Sequence, residues 1–218
     1  HDTAVGGAVG DSGNCDGAAH ADKFPGLTTP DDSYHGLTYT TAFGKMAYMT
    51  KLVAQLMRDL GSIMAPQNAF LLNIGLETLH LRMRQHCDNA LHIARFLHDD
   101  PHVAWVHYCG LDDDRNHDRA TKYLPNGSCG VIAFGLKGDR ETAIKWMDSL
   151  QLINIATHVA DSRTCVLHPA SHTHRQLSDE QLCEAGIAPD LIRLSVGIED
   201  ADDLLDDIRQ AMTKSFAG

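Results

Sequence analysis

A single arginine interrupts an apolar, strand-like segment near the carboxyl end of the chain, and its side chain is the strongest candidate for binding chemistry. In the run Ile192-Arg193-Leu194-Ser195-Val196, strand periodicity places the aliphatic residues on one face and Arg193 with Ser195 on the other. A guanidinium is costly to bury without an anion, and its planar fork binds a carboxylate through two parallel hydrogen bonds. The pattern therefore predicts either a carboxylate site or a structural salt bridge at Arg193.

Three histidines in the segment H-P-A-S-H-T-H could in principle hold a metal ion, since imidazole is the commonest metal ligand. They are His168, His172 and His174. However, Pro169 prevents the helix that would align them, and no acidic residue or cysteine stands beside them. We therefore expect a loop here and no metal site.

Two acidic clusters have simpler explanations than cation binding. One of them directly precedes an apolar helical run, where carboxylates complement the helix dipole; it consists of Glu199, Asp200, Asp202 and Asp203. The other, at 112–114 beside Arg115, is typical of a solvated loop.

Short strands and helices that could position Arg193 alternate beyond Pro101. Strand-like runs lie at 103–108, 129–136, 152–157, 164–167 and 191–196. Helical runs lie at 139–150, 178–186 and 204–212, the second opened by the capping box Ser178-x-x-Gln181. This mixture predicts an α+β layer with helices on one face of a mostly antiparallel sheet.

The first 100 residues are organised differently. Residues 1–40 are rich in Gly, Asp, Thr and Pro, contain one strand-like run at 3–11, and otherwise form an excursion of the length typical of functional loops or partner surfaces. A helical stripe then runs from Phe43 to Leu60 and ends at Gly61. A single long helix is predicted from Pro66 toward His98, a length that often bridges two domains.

Composition excludes several classes of partner. The formal net charge of −11 argues against binding to nucleic acid or to an anionic membrane surface. No apolar stretch approaches the roughly 20 residues of a membrane span, and the first residues do not form a signal peptide. The six cysteines are widely spaced without a C-x-x-C pair, so we expect free thiols and a cytoplasmic protein.

Several longer segments resemble one enzyme family. They are K-F-P-G-L-T-T-P-D-D-S-Y-H-G at 23–36, A-P-Q-N-A-F-L-L-N-I-G-L-E-T-L-H-L-R-M at 65–83, H-C-D-N-A at 86–90, Y-L-P-N-G-S-C-G-V-I-A-F-G-L-K-G at 123–138, and the H-P-A-S-H-T-H to G-I-E-D block ending at Asp200. Together they resemble the Cys/Met-metabolism pyridoxal-phosphate enzymes, and within them the O-acetylhomoserine sulfhydrylase branch.

The resemblance implies an α/β protein of the aminotransferase fold type I. It implies that residues 1–75 are the end of the large cofactor-binding domain and that 76–218 form the small α+β domain. It also implies that Arg193 holds the α-carboxylate of the substrate, with Thr164 lining the same pocket. The Schiff-base lysine of the family is expected a few residues before His1, so the chain by itself should be inert.

For the whole enzyme the resemblance implies pyridoxal 5′-phosphate as cofactor and a γ-replacement reaction, in which sulfide or methanethiol displaces acetate from O-acetylhomoserine. The implied partners are the amino-terminal half of the same enzyme and further copies in a homotetramer. Other family activities stay open at this point, namely a methionine γ-lyase or a cystathionine γ-synthase. So does a non-catalytic role as an interface module.

Overall fold

The computed structural model describes residues 3–14 and 16–217, which divide into two units between Asn73 and Ile74. The first unit, 3–73, contains short helices joined by turns. They are α1 (Pro25–Thr28), α2 (Tyr39–Phe43), α3 (Ala47–Lys51), α4 (Arg58–Leu60) and most of α5 (Pro66–Glu77), with 3-10 turns at Asp32–Tyr34 and Gly44–Met46 and a π-helical stretch at Leu52–Met57.

The helix predicted from the stripe at Phe43 becomes continuous only at Ala47, and it runs through the π-helical stretch to Leu60. Gly61 ends it with φ +67°, as the sequence predicted. The strand predicted at 3–11 is wrong, because this stretch pairs with no strand in the described part of the chain. A strand without a ladder partner leaves its backbone groups to water.

Much of the apolar stripe of the first unit is exposed. The large side chains that lie at least two-fifths exposed between positions 43 and 70 are Phe43, Met46, Tyr48, Val53, Leu56, Leu60, Ile63 and Phe70. Exposed apolar side chains in such number are typical of a contact surface.

The second unit, 74–217, carries the sheet. Its helices are α6 (Leu79–Asp99), α7 (His117–Tyr123), α8 (Arg140–Asp148), α9 (Asp179–Glu184) and α10 (Ala201–Phe216). Its strands are β1 (Val103–His107), β2 (Val131–Leu136), β3 (Asn154–Ile155), β4 (Cys165–Leu167) and β5 (Leu191–Ser195).

The long helix predicted from Pro66 is two helices, because the backbone leaves helical geometry at Thr78 with φ −109° and ψ 5°. The Arg82 guanidinium reaches back across the break and donates to the carbonyl of Gly75 at 2.8 Å. In a continuous helix the carbonyl of Gly75 would accept from a backbone amide one turn later. Here the Arg82 side chain supplies that donor instead.

The sheet order is β1-β2-β5-β4-β3, with every pair antiparallel except β3 and β4. Helices α6, α8 and α10 pack on one face of the sheet. Their buried side chains and those of the strands form a single hydrophobic core. Phe134 of β2 meets Trp146 of α8 edge to face, with ring centroids 5.4 Å apart. The mixed α/β fold with a mostly antiparallel sheet is confirmed.

Glycine is required at one position in this sheet. A Cβ at Gly135 would lie within about 2.2 Å of the Trp105 indole and of the Asp190 carboxylate. These two groups are joined by a 2.9 Å hydrogen bond from the indole N–H, which crosses the strand at that point.

Candidate functional site

Arg193 lies in the middle of the sheet, on a strand that is paired on both sides. Its register partners are Ala133 of β2 and Leu167 of β4. Ile192, Leu194 and Val196 are fully buried in the core, which confirms the predicted periodicity and puts Arg193 on the face opposite the helices. A strand positions a binding side chain more precisely than a loop does.

The guanidinium of Arg193 is only partly satisfied by the protein. One terminal nitrogen donates to the carbonyl of Thr157 at 2.9 Å. Its Nε is buried and finds no acceptor among the described residues. None of the ion pairs that those residues form includes Arg193.

A buried donor without an acceptor costs about 1–3 kcal/mol, so native structures seldom leave one unused unless a ligand or water completes it. In an arginine, Nε and one terminal nitrogen form one edge of the fork, and a carboxylate binds that edge through both oxygens. Arg193 therefore keeps an unpaired donor of the kind that a carboxylate accepts from, and it forms no ion pair among the described residues.

The segment beside Arg193 joins β3 to β4 and turns sharply. Ala160 adopts φ +59°, a left-handed conformation that alanine seldom occupies. Its amide donates to the Ser195 hydroxyl at 2.9 Å. His158 and Asp161 lie in the same turn, with 3.2 Å between Nδ1 and the carboxylate. Sequence reasoning did not single out this turn, whose one local signal is the short polar run before Thr164.

Thr164, the second predicted site residue, is fully buried immediately before β4. Its hydroxyl donates to the Glu199 carboxylate at 2.8 Å and accepts from the amide of Gly197 at 2.8 Å. Its own amide donates to the second oxygen of Glu199 at 2.6 Å. The structure thus brings Thr164 to the turn after β5, and a direct contact with substrate stays a prediction.

Replacing Thr164 with valine should lower the stability of the enzyme by about 1–3 kcal/mol. The side chain keeps its volume but loses its hydroxyl, so the amide of Gly197 and one oxygen of Glu199 each lose a partner in a buried place. Thr164→Ser keeps the hydroxyl and serves as the control. Thermal denaturation of both variants measures the difference; equal melting temperatures for valine and wild type would contradict the assignment.

Glu199 and Asp200 have separate tasks that the sequence alone did not distinguish. Asp200 caps α10 by accepting from the amide of Asp202 at 2.9 Å, in line with the predicted dipole role. Glu199 instead turns back to the Thr164 segment. The sequence hinted at this second role only because the acidic cluster contains more carboxylates than are needed to cap a helix.

His168 belongs to the packing of the loop before β5. Its Nε2–H donates to the carbonyl of Pro189 at 2.8 Å, and its Nδ1 accepts from the Ser171 hydroxyl at 2.8 Å. Burial lowers the pKa of this imidazole, so the neutral ring is favoured. In the described residues, no group of three or more histidine, cysteine or acidic side chains is placed to hold a metal ion.

Within this chain, none of the lysines of the described residues presents a buried, unpaired amine of the kind that would hold pyridoxal phosphate covalently. Lys51 pairs with Asp31 at 2.8 Å, and Lys145 donates to the carbonyl of Ser215 at 3.2 Å. The other five are exposed: Lys23, Lys45, Lys122, Lys137 and Lys214. The lysine predicted before His1 lies outside the described residues.

Comparisons with known proteins agree on one family. The profile of the Cys/Met metabolism PLP-dependent enzymes matches residues 1–213. An O-acetyl-L-homoserine sulfhydrylase 1 of Thermus thermophilus is 42% identical over 212 residues, which cover 97% of this chain and 50% of that protein. A homocysteine/cysteine synthase of Saccharomyces cerevisiae is 41% identical over 228 residues, which cover 100% of this chain and 51% of that protein.

The fold comparison points the same way. A crystal structure from Campylobacter jejuni, which contains N′-pyridoxyl-lysine-5′-monophosphate, superposes with a TM-score of 0.79 and 41% identity, over 88% of this chain and 45% of that one. The chain spans about half the length of the curated relatives it matches. No described helix combines the length and apolar character needed to cross a membrane.

Proposed function

The chain belongs to the Cys/Met metabolism PLP-dependent enzymes, and we propose that it forms the carboxylate-binding side of an O-acetylhomoserine sulfhydrylase. The complete enzyme would take O-acetylhomoserine and sulfide, or methanethiol, and release homocysteine, or methionine, with acetate. The observation that carries the proposal is the buried, unpaired Nε of Arg193 on a central strand. The relatives named for this activity support the choice of substrate.

In this reaction the residues of the chain would bind and orient the substrate. Arg193 would hold the α-carboxylate through Nε and a terminal nitrogen, which fixes the amino acid so that its Cα–H bond points in one direction. Thr164 would support this site indirectly, through its hydrogen bonds to the turn after β5. Pyridoxal phosphate, when bound, supplies the electron withdrawal that makes Cα–H acidic. The lysine that carries it would lie elsewhere in the enzyme.

The domain assignment follows from the same proposal. Residues 1–75 would be the end of the large cofactor-binding domain, and 76–218 the small domain. The apolar surface of the first unit, from Phe43 to Phe70, would then be covered by the amino-terminal half of the enzyme and by a neighbouring subunit of a homotetramer. The free thiols among the described cysteines fit the reducing cytoplasm, where we place the enzyme.

Product analysis on the full-length enzyme tests the proposed reaction. With O-acetylhomoserine and sulfide we expect homocysteine and acetate in equal amounts, and little 2-oxobutanoate when sulfide is left out. Release of 2-oxobutanoate at the same rate without sulfide would instead identify a γ-lyase. Cystathionine formed with cysteine in place of sulfide would identify a cystathionine γ-synthase, and O-succinylhomoserine in parallel tests the leaving group.

Mass spectrometry of the purified native protein tests the remaining alternative. The proposal expects the residues of this chain in one assembly with the amino-terminal half. A stable assembly that lacks that half, and turns over none of these substrates, would favour the non-catalytic interface module.

A further inference from the structure

Arg193 and Ser195 project from the same face of β5 and hold the two ends of one turn. Arg193 donates to the carbonyl of Thr157 at 2.9 Å. Ser195, which is 1% exposed, accepts from the amide of Ala160 at 2.9 Å. The turn from 157 to 160 is therefore fixed to the strand at its first residue by the guanidinium and at its last by the hydroxyl.

The conformation of this turn depends on such anchors. Ala160 has φ +59°, which costs an alanine roughly 1–2 kcal/mol relative to the right-handed region. A strained residue keeps its conformation only when the surrounding contacts fix it. The hydrogen bond to Ser195 is the contact that the amide of this residue makes.

A second anchor lies at the other end of the connection. Glu199 binds the amide and hydroxyl of Thr164, and the amide of Ile198 donates to the carbonyl of Ser162 at 2.9 Å. Asn89 of α6 in turn donates to the carbonyls of Gly197 and Glu199 at 3.1 and 2.8 Å. This contact gives a structural role to the H-C-D-N-A segment, which the binding site itself does not use.

We propose that Ser195 is a positioning residue for Arg193, with Glu199 as the second anchor of the same connection between β3 and β4. By fixing the amide of Ala160, Ser195 fixes the carbonyl of Thr157 three residues earlier. That carbonyl accepts from one hydrogen of Nη2 of Arg193 and so sets the plane of the guanidinium. Nε and the second hydrogen of Nη2 are then left for a ligand carboxylate. The inference rests on the proposed function of Arg193, and its specific consequence concerns ligands that carry a carboxylate.

Two ligands that differ only by the carboxylate make the test specific. L-norvaline and 1-aminobutane share the amine and the alkyl chain, and calorimetric titration into the full-length, cofactor-loaded enzyme gives both dissociation constants. Ser195→Ala should raise the dissociation constant of L-norvaline by roughly 3- to 10-fold, which corresponds to one neutral hydrogen bond. The dissociation constant of 1-aminobutane should stay unchanged. Ser195→Thr keeps the hydroxyl and should restore most of the affinity.

Ser215→Ala is the matched control, because it also removes a buried hydroxyl, one that donates to the carbonyl of Ala211 within α10. It should leave both dissociation constants at the wild-type values. If Ser195→Ala proves too unstable, Glu199→Gln weakens the second anchor and should show the same selective loss of L-norvaline.

Equal weakening of both ligands by Ser195→Ala would overturn the inference, since it would show a general structural defect. Unchanged binding of both ligands in Ser195→Ala, while Arg193→Lys does weaken L-norvaline, would overturn the positioning role and leave the carboxylate site standing. Unchanged binding of L-norvaline in Arg193→Lys would contradict the proposed role of Arg193 itself, and the inference with it.

Discussion

Replacing Arg193 with lysine in the full-length enzyme is expected to lower kcat/KM for O-acetylhomoserine by a factor on the order of 30 to 1000, or about 2–4 kcal/mol. Lysine keeps the positive charge but presents it as a point at the end of a flexible stem, without two parallel donors. It also removes the donor that the protein leaves unpaired at Nε. The loss should appear mainly with substrates that carry an α-carboxylate.

The alternative left open by the sequence, a structural salt bridge, predicts the opposite pattern. In that case Arg193→Lys would lower the melting temperature and leave kcat/KM per folded molecule nearly unchanged, so both quantities have to be measured on one preparation. Arg209→Lys is a suitable control, because Arg209 pairs with Asp206 on the exposed side of α10 at 3.0 Å. It should change neither quantity appreciably.

The position of Arg193 could be predicted from the sequence because it depends on the shortest periodicity in the chain. Alternation along a strand requires only neighbouring residues, and burial of Ile192, Leu194 and Val196 confirms it. The contacts that orient Arg193 could not be predicted in this way. Thr157 lies 36 residues away in the sequence, and its carbonyl carries no side-chain signature.

The same distinction between local and distant contacts applies to other parts of the chain. Local signals at Gly61 and at the capping box of Ser178 are confirmed, since each is completed within one turn of a helix. The stripe from Phe43 predicted a helical face correctly, but nothing in its spacing indicates what covers that face. The break at Thr78 was missed because the helical periodicity continues across it, while the hydrogen bond from Arg82 that accommodates it depends on a side chain.

The second large effect is expected at Asp207, in the middle of α10, far from any predicted chemistry in the sequence. Its carboxylate is 6% exposed and accepts from three consecutive backbone amides, those of Gln151, Leu152 and Ile153, at 2.8, 2.9 and 2.9 Å. These residues lead directly into β3, the edge strand that begins at Asn154. One side chain thus satisfies the amides of a whole turn between helix and sheet.

Asp207→Asn should destabilise the enzyme by about 2–4 kcal/mol, because an amide NH₂ would face at least one backbone N–H that has no other acceptor. For a unit of this size we expect the melting temperature to fall on the order of 10 °C. Asp206→Asn, one residue earlier and largely exposed, is the matched control and should cost no more than about 1 kcal/mol. Similar melting temperatures for the two variants would show that the turn at 151–153 is held by other contacts. A large difference would show that the attachment of β3, and with it the start of the connection that carries Thr157, depends on a single buried carboxylate.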